Sequence, residues 1–181
     1  RQDAVETGVI DPFWAATWRA AAGLDKYLAA VPLMGKRVLE LGCGTGHAGI
    51  AASIRGAEVI LTDGVDDPLW LVRKSIQSLP SAPRVRRLRF GIDQLDTPPF
   101  PVILGSDVTY LRELWPQLET CLKQHLAPEG VVYLSDPFRI IANEFREWIR
   151  DRQDWHYEES SVAMSDDPDH PIRIMQLRQR A

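Results

Sequence analysis

Apolar positions along the chain fall in short blocks separated by glycine, proline and charge. Val38-Leu39-Glu40-Leu41, Val59-Ile60-Leu61-Thr62, Val102-Ile103-Leu104 and Val131-Val132-Tyr133-Leu134 are each bounded by turn residues, as strands covered on both faces are. They predict strands over residues 37–41, 58–62, 102–106 and 131–135, with another over 85–90. Between them apolar residues recur at helical spacing. Phe13, Thr17, Ala20, Leu24, Tyr27 and Leu28 follow Asp11-Pro12, a suitable helix start. Further helices are predicted over 47–55, over 69–79, from Leu111 through Leu126, and after Asp136-Pro137, where Phe138, Ile141, Phe145 and Trp148 form one stripe. Pro128-Glu129-Gly130 reads as a turn into the fifth strand.

Two late strands, 155–162 and 172–178, are joined by the acidic turn 165–171 with no helix between them, so they should pair antiparallel. The alternation predicts an α/β chain: a Rossmann-like, seven-stranded, mostly parallel sheet with an antiparallel last strand and helices on both faces. It reads as one domain over residues 1–181, with an N-terminal helical segment (1–34) and a Rossmann-like core (35–181).

Composition narrows this modestly. The chain has 181 residues, 45% apolar and 25% charged, enough for one full core. A net charge of −4 gives no general attraction to nucleic acid. No apolar run approaches the roughly 20 residues of a membrane span, and no export leader is visible at the start. Cys43 and Cys121 are the only cysteines, and His47, His125, His156 and His170 are scattered. No metal is expected, and a reducing, cytoplasmic setting is.

The most informative stretch is Leu39 to Gly46, L-E-L-G-C-G-T-G. Strand, glycine turn and helix together make a site for a nucleotide-like ligand at the sheet's carboxyl edge. A dinucleotide turn wants glycines at relative positions one, three and six, but His47 holds the sixth. No Gly-Lys-Ser/Thr follows, so a phosphate loop is excluded. Glycines stand at one, three and five instead: Gly42, Gly44 and Gly46.

E-L-G-C-G-T-G resembles the first motif of the seven-strand S-adenosylmethionine (SAM) methyltransferases, and the likeness covers nearly the whole chain. It implies that Glu40 approaches the cofactor's amino acid end or its immediate shell. Gly42, Cys43, Gly44 and Gly46 would pack under the cofactor, and Asp63 would hold the ribose hydroxyls. A carboxylate suits two vicinal hydroxyl donors. S-adenosylhomocysteine (SAH) would be the product.

After strand four the chain reads G-S-D-V-T-Y, Gly105 to Tyr110. Its D-x-x-Y pattern resembles the group that methylates protein lysines. The leading stretch Asp11 to Leu28 resembles that group's first helix, with Trp18 against the cofactor. Arg89-Phe90-Gly91 resembles its Trp-Gly after strand three, with Phe90 beside the adenine. The expected cofactor contacts extend to Ser106 and Asp107. Asp107 and Tyr110 are the expected catalytic pair: the acid anchors and orients the amine, and the phenol lines the mouth. The expected partner is a protein presenting a lysine. Nucleic acid and membrane are not expected partners, and a monomer is expected. The chain departs from the group's pattern at Ser75, where Asn is usual, and at Arg19, where Pro is usual.

Plainer readings stand beside these. Asp107 could cap the next helix, with Tyr110 a core aromatic. Trp14 and Trp18 could be core residues. Arg84, Arg86, Arg87 and Arg89 could bind RNA or blunt an edge strand. Asp166, Asp167 and Asp169 could meet a basic protein or form a solvated turn. A small-molecule N- or O-methyltransferase, and a SAM-binding module without catalysis, remain alternatives.

Overall fold

The computed structural model describes residues 19–180. Helix α1 (Arg19–Leu28) precedes strand β1 (Arg37–Leu41), helix α2 (His47–Ile54) and strand β2 (Glu58–Asp63). Helix α3 (Asp66–Ser75) leads to β3 (Arg84–Arg87) and β4 (Phe100–Ser106). A short 3-10 turn (Arg112–Leu114) runs into α4 (Trp115–His125), then β5 (Leu126–Asp136) and α5 (Ile140–Arg150). β6 (Trp155–Val162) and β7 (Ile172–Gln179) follow.

The strands form one sheet in the order β3-β2-β1-β4-β5-β7-β6. β3, β2, β1, β4 and β5 pair in parallel, while β7 runs antiparallel to both β5 and β6. This is the expected seven-stranded architecture. The order reverses between β1 and β4, where an open α/β sheet parts its carboxyl-end loops into a crevice.

Period-two alternation divides the core. Val38, Val59, Leu61, Val102, Leu104 and Tyr133 pack with Leu24 and Leu28 of α1, Ala48 and Ala52 of α2, and Leu69 and Val72 of α3. Leu39, Leu41, Ile60, Ile103, Val132 and Leu134 pack with Trp115, Leu118 and Leu122 of α4 and Phe145 and Ile149 of α5. On the second face Trp115, Phe145 and Trp148 meet ring to ring at 5.5–5.8 Å, clamping α4 to α5.

Several boundaries differ from the sequence reading. Strand three stops at Arg87: the Leu88 N–H makes a last bond to Asp63 O of β2, and the next amide, Arg89 N–H, turns to Asp93 Oδ2, curling the chain away. The helix after β2 begins at Asp66, not residue 69. Pro128-Glu129-Gly130 lies inside β5, with Glu129 at φ 59°. Asp136-Pro137 does not start α5: Phe138 takes φ 58° and Arg139 is the residue that precedes the helix.

β3 is an edge strand. Arg87 pairs with Asp66 and Arg89 with Asp93, and Arg84 and Arg86 are exposed, as an edge protected from further pairing requires. Arg19 pairs with Asp166 and Asp167 and donates to the carbonyls of Asp167 and His170. The unusual arginine therefore ties the acidic turn to α1. Ser75 donates to Leu71 O within its own helix. Among the described residues no helix is long and apolar enough to cross a membrane, and no His/Cys/Asp/Glu cluster could hold a metal.

Candidate functional site

Register brings the singled-out residues to one edge of the sheet. Glu40 lies beside Leu61 of β2 and Leu104 of β4, and Leu41 beside Gly105. Asp63 ends β2, Ser106 ends β4 and Asp136 ends β5. Trp18 and Trp14 lie outside the described residues.

The turn after β1 is built for close approach. Gly42, Gly44 and Gly46 take φ of 57°, 50° and 78°, a region costly for other residues. The Cys43 N–H donates to Thr62 O at 2.8 Å, and Thr62 Oγ1 to Glu40 O at 2.6 Å. β2 thereby holds both sides of the turn. Cys43 is buried, and burial, reinforced by Glu40 and Asp63, pushes its thiol far above the usual range. It is a packing residue with no thiolate to offer.

Glu40 shares the face of Val38, so its side chain points at α2. It is 1% exposed, and its Oε2 accepts the Gly49 N–H at 3.0 Å. Gly49 sits in the first turn of α2, where amide donors lack helical partners. Burial pushes Glu40 up to about 8, against the Gly49 bond and with Asp63 adding to the rise. Glu40 is thus joined to the turn from below. Gly49 escaped the sequence reading; the signal was a glycine inside a helix, nine residues after an acid on the preceding strand.

Asp63 Oδ2 accepts the Gly44 N–H at 3.1 Å and Oδ1 the Val65 N–H at 3.0 Å. Burial raises its pKa, opposed by the amides of Gly44, Val65 and Gly64. Each oxygen keeps a second acceptor site. Phe90 follows β3, half-buried against Leu88 and the second core. A cleft of about 390 Å³ borders the turn at Thr45 and His47, but its other walls are Asp25 of α1 and Ile50, Ala51 and Ile54 of α2, and none of Glu40, Asp63 and Asp107 lines it.

The β4 end carries the second half. The Asp107 N–H donates to Ser135 O at 2.7 Å, and its φ is 53°. Thr109 O accepts the Trp115 indole N–H at 2.9 Å. Asp107 therefore does not cap a helix: regular structure resumes only at Arg112. Instead Arg139 Nε meets its Oδ1 and Oδ2 at 2.9 and 3.1 Å, and Arg139 Nη2 meets Oδ2 at 2.7 Å. Asp107 is 9% exposed and Tyr110 48% exposed. Ser106 Oγ is buried and finds no hydrogen-bond partner among the described residues.

Val108 joins the two halves. A Cβ on Gly42 would come within 2.9 Å of Val108 Cγ1, and one on Gly105 within 2.9 Å of Val108 Cγ2. The glycine turn and the D-V-T-Y stretch are thus packed against each other, with the buried Ser106 Oγ and the carboxylates of Asp63 and Asp107 at the same edge of the sheet.

A family profile described as "Lysine methyltransferase" matches residues 3–149. The EEF1A lysine methyltransferase 3 of Mus musculus is 35% identical over 131 residues, 69% of this chain and 56% of that protein. The protein N-lysine methyltransferase METTL21A of Danio rerio is 36% identical over 157 residues, 80% of this chain and 72% of that protein. The chain thus spans little more than half the length of the mouse relative. Among solved structures, a TehB-like SAM-dependent methyltransferase from Corynebacterium glutamicum superposes with a TM-score of 0.69 at 16% identity, covering 99% of this chain and 94% of that one. That likeness speaks to the fold.

Proposed function

The chain belongs to the lysine methyltransferase family, and on that footing we propose that it moves a methyl group from SAM to the side-chain amine of a lysine in a protein. The observation that carries this reading is the packing of Val108 on Gly42, which sets Asp107 beside the Glu40–Asp63 turn.

The residues present fit the cofactor. The positive-φ glycines leave room at the turn, Asp63 keeps acceptor capacity for two hydroxyls, and Ser106 Oγ is a buried donor with no partner among the described residues. In this reading Gly42, Cys43, Gly44 and Gly46 form the floor, Asp63 takes the ribose, and Phe90 with Trp18 flanks the adenosine. Glu40 acts from the shell behind the turn, through Gly49. When bound, the cofactor supplies an electrophilic methyl on a sulfonium. A lysine must reach it as free amine, and with an unperturbed pKa near 10.4 its deprotonation costs about 4–5 kcal/mol at pH 7. Asp107 accepts an N–H of the amine and aims its lone pair, work that alignment can reward with several kcal/mol. Tyr110 lines the mouth and offers a ring face or its hydroxyl.

The partner is a protein with an exposed lysine. A monomer acting in the cytoplasm without nucleic acid completes the reading. The relatives named for EEF1A point to a translation factor as one class of acceptor. The test is incubation with methyl-labelled SAM and cell lysate, then mass spectrometry. Label on a protein lysine supports the reading. Label confined to a free metabolite replaces it with small-molecule transfer. Tight SAH binding with no labelled product leaves a binding module.

A further inference from the structure

Asp107 is not a bare anion. Arg139 reaches both its oxygens through three contacts of 2.7–3.1 Å. A carboxylate offers about four acceptor sites, so roughly one remains for an incoming nitrogen. Arg139 itself precedes α5, on a turn that Phe138 enters at φ 58°. Its guanidinium is paired with the acid at 2.7 Å, and the hydrogen bond to Asp107 is the main cause of its raised pKa.

A second acid and guanidinium stand nearby. Asp136, at the end of β5, is fully buried and raised by desolvation, with Arg173 of β7 as its opposing cation. Arg173 Nη2 also donates to Asn143 of α5, and its guanidinium stacks 4.3 Å from the Phe138 ring. Among the described residues no donor reaches bonding geometry on either Asp136 oxygen, although the amides of Phe138 and Arg139 lie close enough to lower its pKa. Glu144 on α5 is taken by Arg112. Tyr110 follows on the same loop as Asp107. Among the described residues the mouth holds the acid–guanidinium pairs Asp107–Arg139 and Asp136–Arg173.

This bears on a conflict in the chemistry. A lone carboxylate would draw a lysine in as ammonium and hold it in the form that cannot attack. The geometry points to Arg139 as the positioning residue that resolves it: by occupying Asp107, Arg139 leaves room for one N–H of a neutral amine and repels the ammonium. The inference rests on the lysine reading of the same site. It differs from it in assigning selection of the acceptor's charge state to a residue 32 positions further along the chain.

The test separates the two. The full chain is saturated with SAH, so that no turnover occurs, and titrated with n-butylamine as a lysine side-chain probe, binding being followed by NMR shifts from pH 7 to 9. A protein that takes only the neutral amine tightens about tenfold per pH unit below the amine pKa. That slope is expected for the wild type and for Arg139→Lys. Arg139→Gln should bind the probe at least tenfold tighter than wild type at pH 7, with a flattened slope. Asp107→Asn/Arg139→Gln should lose that gain. Equal slopes in wild type and Arg139→Gln, or no probe bound by either, overturn the inference while leaving SAH binding intact. Absence of SAH binding to the wild type overturns the functional reading itself, and the inference with it.

Discussion

Glu40 accepts the backbone N–H of Gly49 at 3.0 Å, and nothing larger than glycine fits between them: an added Cβ would stand 2.4 Å from Glu40 Oε2 and 2.3 Å from Leu61 Cδ2. Gly49→Ala must therefore move α2 or the acid, although alanine is the better helix former. Overpacking of this kind costs about 1–3 kcal/mol. Denaturant unfolding should show that loss, and SAH affinity should fall with it because α2 carries the amides next to the turn.

The same carboxyl sets a pH dependence. Its folded pKa is about 8 against 4.5 for the free group. The folded state then binds more protons than the unfolded state between these values, so stability falls as pH rises. The contribution is fully present below pH 4.5 and is lost as pH climbs through about 8. Glu40→Gln, which cannot ionise, should remove this slope. Thermal unfolding of the two proteins from pH 5 to 9 should diverge upward in favour of the variant.

Asp63 accepts two backbone amides, so Asp63→Ala should both loosen the turn and remove the acceptor proposed for the ribose. SAH affinity by calorimetry should fall by about two to four orders of magnitude, since two charge-assisted bonds are each worth about 1.5–3 kcal/mol. Folding should survive, because the strand below is held by its own ladder.

Asp107→Asn should leave SAH affinity within a few-fold of wild type while lowering turnover about a hundredfold, the general scale for removing one group aimed at the reacting centre. Steady-state kinetics beside calorimetry checks this. Unchanged turnover would reduce Asp107 to a partner of Arg139.

Much of this was legible from residue order. Strand, glycine turn and helix are contiguous, so the Gly42–Gly46 turn, Glu40 and the strand-ending Asp63 announce themselves within one βαβ unit. The partners that complete the site are not contiguous. Gly49 matters because alternation turns Glu40 toward α2, and Arg139 because β4 and β5 are neighbours whose carboxyl ends converge. The misplaced start of α5 has a similar origin. Asp136-Pro137 has the composition of a cap, but burial of Asp136 beside Arg173 pulls the acid into the sheet instead. Local pattern does not register a competitor supplied by β7.

The amide of Asp107 is bonded to Ser135, which makes the acid an extension of the sheet and not a passenger on its loop. Residues 111–114, largely exposed, hang beyond that anchor and can be rewritten in length or character without disturbing it. A scaffold so divided keeps its chemistry fixed while its choice of client drifts.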